Sequence, residues 1–202
     1  MKSRTPTRSS GRPRSFDVDK AIGAAMQVFW QKGYEGASLT DLTEAMGINR
    51  PSLYAAFGDK EALFRKALDR YVTEREAYVE AALSAPTARE VVQSLLMGAA
   101  ELMGDPRHPS GCLMVQGALV CDDSSDCIRQ ELVSRRLATE SAVRKRFDRA
   151  LADGDLRKES VPADLARYVM TILQGMAVQA AGGASKNELK QIVNTTMQTW
   201  SW

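Results

Sequence analysis

The stretch "SLTDLTEAMGINRPSLYAAFGDKEALF", residues 38–64, decides the fold. It holds two short helical patterns that meet at Gly47, and a third pattern begins directly after Gly-Asp-Lys. Ser38 and Asn49 are residue types that cap helix N-termini by accepting a backbone N–H. Pro51 lies in the first turn of the second helix, where a missing N–H costs nothing. The stretch therefore predicts a helix–turn–helix unit.

Two longer helices are predicted to brace this unit. Helices shorter than about 12 residues are marginal in water, so neither short helix would persist alone. One longer helix begins at Phe16–Asp17 and ends at Gly33, and the other is capped by Asp59 and continues to about Leu83. Packed between them, the second short helix would turn its polar side outward. We expect a three-helix headpiece over residues 16–62.

The rest of the chain is also predicted to be helical. Leu, Ala, Met, Glu, Gln, Lys and Arg dominate, and alternating β-branched runs are nearly absent. Further helices are predicted over residues 87–103, 113–120, 126–153, from Pro162 to the pair Gly182–Gly183, and over 186–202. The predicted fold class is all-α.

The charge balance excludes a purely electrostatic nucleic-acid coat. The 202 residues carry 27 Lys and Arg against 25 Asp and Glu, a net charge of +2. The N-terminal segment differs, because its basic residues, which include Arg12 and Arg14, are accompanied by no acid. Residues 1–15 are therefore predicted to form a flexible basic arm.

Membrane insertion, metal binding and a disulfide framework are not indicated. No apolar run approaches the roughly 18 residues of a membrane span, and no secretory signal is present, so we expect a cytoplasmic protein. Cys112, Cys121 and Cys127 lack metal-binding spacing, and His108 is the only histidine. No metal or cofactor is expected.

The second short helix has the residues of a DNA-reading element. Arg50 can pair bidentately with a guanine edge, Ser52 offers a short hydroxyl, and Ala55 permits close approach to a base. Tyr54 and Lys60 suit contacts to phosphate.

The longer stretch "AAMQVFWQKGYEGASLTDLTEAMGINRPSLYAAFGDKEALF", residues 24–64, resembles the N-terminal DNA-binding domain of the TetR family of bacterial transcriptional regulators. The Phe-x-x-Lys-Gly-Tyr, Ala-Met-Gly-Ile, Ser-Leu-Tyr-x-x-Phe and Lys-Glu-x-Leu motifs occur in order and at the family's spacing. The resemblance implies phosphate or base contacts at the start of helix two, groove reading by helix three, phosphate contacts by the tyrosine and lysine that follow, and a basic arm in the minor groove. In this sequence, Ser38 and Thr40 lie at the start of helix two, and the groove-reading residues of helix three are Arg50, Pro51, Ser52 and Ala55. The tyrosine and the lysine are Tyr54 and Lys60. The basic arm carries Arg12 and Arg14.

The same resemblance implies that residues 63–202 form a helical domain that binds a small molecule and dimerises through the last two helices. The partners would be a second copy of the chain, a palindromic double-stranded DNA operator and an unknown effector. Small residues in the penultimate helix (Gly175, Ala177, Ala180 and Ala181) would permit close packing between protomers. The residues expected to line the effector pocket are Leu95, Leu96, Met103, Leu113, Met114, Phe147, Tyr168 and Met176.

The expected function is that of a repressor released from its operator by the effector, although an activator would use the same parts. One alternative is a regulator that senses redox state or electrophiles through Cys112, which lies at a predicted helix start. A helical enzyme is a weaker alternative, because no catalytic triad or phosphate-binding loop is evident. A protein-binding helical dimer without DNA sequence preference is the third.

Overall fold

The computed structural model describes residues 16–119 and 126–200, and all regular structure in these ranges is helical, as predicted. No helix within them is long and apolar enough to span a membrane. The helices are α1 (Val18–Gly36), α2 (Leu39–Met46), α3 (Arg50–Phe57), α4 (Lys60–Leu83), α5 (Ala88–Met103), α6 (Leu113–Leu119), α7 (Asp126–Ala152), α8 (Pro162–Ala181) and α9 (Lys186–Thr199).

Helices α1 to α4 form the predicted headpiece. Phe29 of α1 meets Phe64 of α4 edge to face, with ring centroids 5.0 Å apart. Leu42 of α2 and Leu53 of α3 are fully buried in the same core, and burial of a leucine side chain contributes about 1.5–3 kcal/mol. The apolar stripes of the two long helices therefore hold the two short ones in place.

Helix α1 is interrupted at Gly33, where the sequence predicted its end. Gly33 has φ 71° and ψ 176°, a conformation that a residue with a side chain rarely adopts, and one further helical turn follows it. The predicted caps Ser38, Asn49 and Asp59 are confirmed, because each side chain accepts a backbone N–H of its helix. At the other end of the chain, α9 ends at Thr199 and Trp200 is extended, so the prediction of a helix to residue 202 was wrong.

Helix α5 lies at the centre of the second helical region. It packs against α4, α7, α8 and α9, while α7 pairs with α8 and α6 lies between α1 and α7. Val91, Val92, Leu95 and Leu96 of α5 are all completely buried.

A buried arginine holds the connection between α4 and α5. Arg146 of α7 is only 7% exposed. Its guanidinium donates to the carbonyl oxygens of Leu83 (3.2 Å), Ala85 (2.8 Å) and Pro86 (2.9 Å). The Leu83 carbonyl belongs to the last turn of α4, whose carbonyls have no partner within the helix, and the other two lie in the connection to α5. Arg146 therefore acts as a C-terminal cap supplied by another helix.

Candidate nucleic-acid interface and internal cavity

The polar side of α3 faces solvent. Leu53 and Phe57 bury its opposite side against the headpiece core. The side chains predicted to read DNA lie on the outer side: Arg50, Pro51, Tyr54 and Ala55 are exposed and Ser52 is half-buried. An exposed polar helix face of this kind can enter the major groove of a duplex.

The turn before α3 has a defined geometry. Gly47 adopts the left-handed conformation with φ 65°, and its N–H donates to the carbonyl of Glu44 at 3.2 Å. The N–H of Ile48 donates to the carbonyl of Thr43 at 3.1 Å. Asn49 Oδ1 then accepts the N–H of Ser52 at 2.9 Å. Each of the three consecutive residues 47–49 is held by one of these bonds, so together the bonds fix the angle between α2 and α3.

Arg50 is oriented by a side chain from the preceding helix. Its Nη2 donates to Thr40 Oγ1 at 2.9 Å, although both residues are exposed. The guanidinium has five N–H donors, so a bond to Thr40 leaves donors for a second partner. The arrangement reduces the conformational freedom of a long side chain before it meets a ligand.

The start of α2 is stabilised by a capping box. Ser38 Oγ accepts the N–H of Asp41 at 3.0 Å, and Asp41 Oδ2 accepts the N–H of Ser38 at 3.0 Å. Asp41 Oδ1 lies 2.6 Å from Lys32 Nζ of α1. Hydrogen bonds from Lys32 and then Ser38 lower the pKa of Asp41 from 3.8 to about 2. The Ser38 hydroxyl is thus already engaged, and the ion pair joins α1 to α2.

Lys60, the first residue of α4, lies over an aromatic ring of α1. Its Nζ is 4.5 Å from the ring centroid of Tyr34. Burial, together with the Glu61 carboxylate, raises the pKa of Tyr34 to about 12, so its hydroxyl keeps the proton at neutral pH. Tyr54 on α3 is 47% exposed, with its ring on the outer side. Arg12 and Arg14, predicted for the minor groove, lie outside the described residues.

A cavity of about 460 Å³ lies among α4, α5, α6, α7 and α8. Its volume falls within the range of roughly 300–1,000 Å³ that is typical of small-molecule sites. Of the residues predicted to line an effector pocket, Leu95, Met103 and Met114 lie on its wall.

The other five predicted residues lie elsewhere. Leu96, Leu113 and Phe147 are completely buried in the core and do not border the cavity. Tyr168 and Met176 border a separate shallow groove between α8 and α9, of about 300 Å³. The apolar stripes of α5 to α8 are shared between core, cavity and groove, and periodicity alone does not separate these environments.

The polar side of the cavity was not foreseen from the sequence. It is formed largely by α4, through Tyr71, Arg75 and Tyr78, with Arg136 contributed by α7. The spacing of the three α4 residues at i, i+4 and i+7 places them on one helix face. This spacing was the sequence signal from which the polar side of the cavity could have been predicted.

Cys112 borders the same cavity, immediately before α6. The Tyr71 hydroxyl donates to Cys112 Sγ at 3.1 Å and accepts the N–H of Leu113 at 3.2 Å. Burial raises the pKa of Tyr71 well above its ordinary value, so this hydroxyl remains a donor. Cys127 is exposed on α7, and Cys121 lies outside the described residues.

The helices predicted to dimerise carry exposed apolar side chains. Tyr168 is 44% exposed and Val178 is 49% exposed, both on α8. Ala177 and Ala180 point into the protomer and are buried, so the expectation that they face a partner was wrong. Gly175 and Ala181 are exposed.

The comparisons with known proteins agree with this architecture. The family model of bacterial regulatory proteins, tetR family, matches residues 21–67, and the tetracyclin repressor-like C-terminal domain matches residues 88–196. The HTH-type transcriptional repressor ComR of Escherichia coli K12 is 36% identical over 195 residues, which cover 96% of this chain and 93% of ComR. The repressor BdcR of the same strain is 30% identical over 190 residues, covering 94% of this chain and 91% of BdcR.

Among solved structures, a cysteine mutant of the TetR family transcriptional regulator CifR superimposes with a TM-score of 0.90. It is 42% identical to this chain, and the match covers 94% of this chain and 100% of CifR. That regulator is complexed with 26-bp double-strand operator DNA.

Proposed function

The chain belongs to the TetR family of bacterial regulatory proteins, and from this premise we propose that it is a homodimeric repressor released from a palindromic operator by a small-molecule effector. As a member of this family it is a DNA-binding transcriptional regulator and not an enzyme. The observation that carries the proposal is the outward face of α3, on which Arg50 is held by Thr40 Oγ1 at 2.9 Å.

The proposed contacts divide into base reading and phosphate binding. Arg50 reads a guanine edge in the major groove, since a guanidinium matches the two acceptors of guanine. The remaining outer residues of α3 pack along the same groove. Other residues of the headpiece, together with the N-terminal arm, bind the DNA backbone. The residues proposed to read bases are Arg50, Pro51, Ser52 and Ala55, with Thr40 beside them; those proposed to bind the backbone are Ser38, Tyr54 and Lys60, and Arg12 and Arg14 enter the minor groove.

Dimerisation through α8 and α9 would set the operator geometry. The exposed Tyr168 and Val178, together with the groove between these helices, supply an apolar surface that a second protomer would cover. A two-fold axis at this surface places two headpieces about one duplex turn apart, roughly 34–36 Å, so the operator is a near palindrome.

Effector binding would act through α4. This helix carries Lys60 at its first residue and Tyr71, Arg75 and Tyr78 on the cavity wall. The proposed division is therefore an arm over residues 1–15, a headpiece over 16–62 and an effector and dimerisation domain over 63–202. A ligand that prefers the released state by about 1–3 kcal/mol lowers DNA affinity about 5- to 150-fold.

The test begins with selection of bound duplexes from a randomised library. Purified protein should enrich a palindrome, and fluorescence anisotropy at fixed salt should show tighter binding to the selected duplex than to a scrambled one. Arg50→Ala should reduce this discrimination, whereas Lys60→Ala should weaken both complexes. Equal affinity for selected and scrambled duplexes would refute the proposal, because phosphate contacts alone give no sequence preference.

A second candidate is release by an electrophile that reacts at Cys112. The observation that favours it is the position of the thiol on the cavity wall beside the Tyr71 hydroxyl. The sulfur would add to the β-carbon of an α,β-unsaturated carbonyl, and a proton would finish on the α-carbon. With Cys121 and Cys127 changed to serine, N-ethylmaleimide should add one mass equivalent and abolish operator binding. If the adduct forms and operator affinity is unchanged, this candidate fails.

A further inference from the structure

The polar groups on the cavity wall are not electrically balanced. Three arginines border the cavity. Arg135 is neutralised by Asp69 at 2.5 Å and Glu131 at 2.8 Å. For Arg75 and Arg136, no carboxylate within the described ranges 16–119 and 126–200 lies at ion-pair distance. Two half-buried guanidinium groups are therefore left without a counterion from this part of the chain.

Both guanidinium groups are oriented but retain unused donors. Arg75 Nη1 donates to the carbonyl of Tyr71 at 3.0 Å, and Arg136 Nη1 donates to the carbonyl of Met114 at 2.8 Å. Each arginine has five N–H donors in a planar fork, and such a fork binds two oxygens of one carboxylate. The backbone bonds hold the forks in place at the cavity.

The other polar groups on the cavity wall also favour an anionic ligand. The Tyr78 side chain also borders the cavity. Burial raises the pKa of Tyr78 to about 12, so it offers a proton and no charge. Glu76 and Glu80 also border the cavity, but both are exposed, so solvent screens their charges more than those of the half-buried arginines.

Most of the remaining wall is apolar, with Leu95, Ala99, Met103 and Leu173 among its residues. We propose that the cavity binds an apolar molecule with one anionic head group of the carboxylate type, held by Arg75 with support from Arg136 and Tyr78. The inference rests on the proposed function only in that it identifies the cavity as the effector site.

Arg75 also connects this site to the headpiece. Its guanidinium carbon lies 3.5 Å from the ring centroid of Tyr71 and 4.6 Å from that of Trp30, which belongs to α1. An anion on the N–H edge of this guanidinium neutralises part of the charge that attracts the two rings. Ligand binding therefore alters a contact between α1 and α4, and this gives the ligand different affinities for two arrangements of the headpiece.

The test compares three head groups on one chain, without DNA. Decanoate, decanol and decylamine are titrated into the full-length protein below their aggregation concentrations, and binding is measured by calorimetry. Decanoate should bind at least tenfold more tightly than decanol, and decylamine should bind most weakly. Arg75→Met should remove the decanoate advantage and leave decanol affinity unchanged, whereas Arg75→Lys should retain part of it.

Two further variants distinguish the effect of the Arg75 charge from the effects of cavity shape and of a distant positive charge. A Cβ added at Gly98 would lie 2.8 Å from Cδ2 of Tyr78, so Gly98→Ala displaces this ring and should weaken decanol as well as decanoate. Arg144→Met removes an exposed charge from the same helix as Arg136 and should not change the binding of any of the three ligands.

Equal binding of the three head groups, or no binding of decanoate, would overturn the inference. Loss of operator recognition in the duplex selection would instead refute the proposed function, so the two failures are distinguishable.

Discussion

Replacement of Thr40 by valine tests whether this residue positions Arg50 for the operator. Valine has nearly the shape of threonine but lacks the oxygen that accepts Arg50 Nη2 at 2.9 Å. Without that acceptor the guanidinium samples more rotamers before it meets DNA, and the complex must restrict them on binding. Thr40→Val should therefore weaken operator binding through Arg50, with little change in fold.

The expected magnitude follows from the exposure of the pair. The donor is a charged guanidinium, but both residues are exposed and water competes for the bond, so we expect a loss of only about 0.5–1 kcal/mol per headpiece, near the lower end of the net value of a hydrogen bond. Since about 1.4 kcal/mol equals a factor of ten, affinity should fall about 2- to 5-fold per headpiece. Arg50→Ala removes the base contact itself and should cost about 1–3 kcal/mol at the preferred base.

A double-mutant cycle with anisotropy on the selected duplex measures the coupling. If Thr40 acts through Arg50, Thr40→Val should cost nothing in the Arg50→Ala background. Thr43→Val is the matched control, because the Thr43 hydroxyl bonds to the Leu39 carbonyl at 2.8 Å and does not contact Arg50. The same loss from Thr40→Val in both backgrounds would show that Thr40 acts independently, and the reasoning would be refuted.

Three further outcomes follow from the contacts described. Lys60→Ala should reduce the slope of log affinity against log salt by about 0.9 for each headpiece, measured by anisotropy over a salt series; an unchanged slope would exclude Lys60 from phosphate binding. Asp41 has a folded pKa of about 2 against an ordinary 3.8, so its stabilising effect is present at neutral pH and declines as pH falls below about 4. The stability difference between the wild type and Asp41→Asn in urea unfolding should therefore shrink between pH 7 and pH 3, and a constant difference would contradict the role of Lys32. Arg146→Met should lower the free energy of unfolding by about 2–3 kcal/mol, because three carbonyls at the end of α4 lose the donor of a buried guanidinium, whereas the exposed Arg144→Met should change it by less than about 0.5 kcal/mol.

The headpiece could be predicted from the sequence because its signals are local. Ser38, Asn49 and Asp59 each cap a helix by accepting the N–H of the residue three positions on, so the residue types indicate the helix starts directly. The outward face of α3 followed from the burial of Leu53 and Phe57, four residues apart. The Thr40–Arg50 bond was not predicted, because it depends on the angle at which α2 and α3 meet.

The cavity was harder to predict because its wall is assembled from five helices. Leu95, Leu96 and Leu113 have the same residue type and similar periodic environments, yet only Leu95 borders the cavity. Whether an apolar side chain meets another or an open space depends on how the helices cross, and the sequence pattern does not encode this directly. The burial of Arg146 is similar, since its three acceptors lie about 60 residues away in the chain.

The cap that Arg146 provides anchors the C-terminal end of α4 to α7. The 24 residues of this helix span about 36 Å at 1.5 Å per residue. A rotation of about 5° around the anchored end carries the first residue, Lys60, through about 3 Å, which exceeds the tolerance of a hydrogen bond. In the proposed mechanism, small displacements beside Tyr71 and Tyr78 would be amplified along the helix, and the length of the lever arm, more than the size of the local shift, would determine how far Lys60 moves.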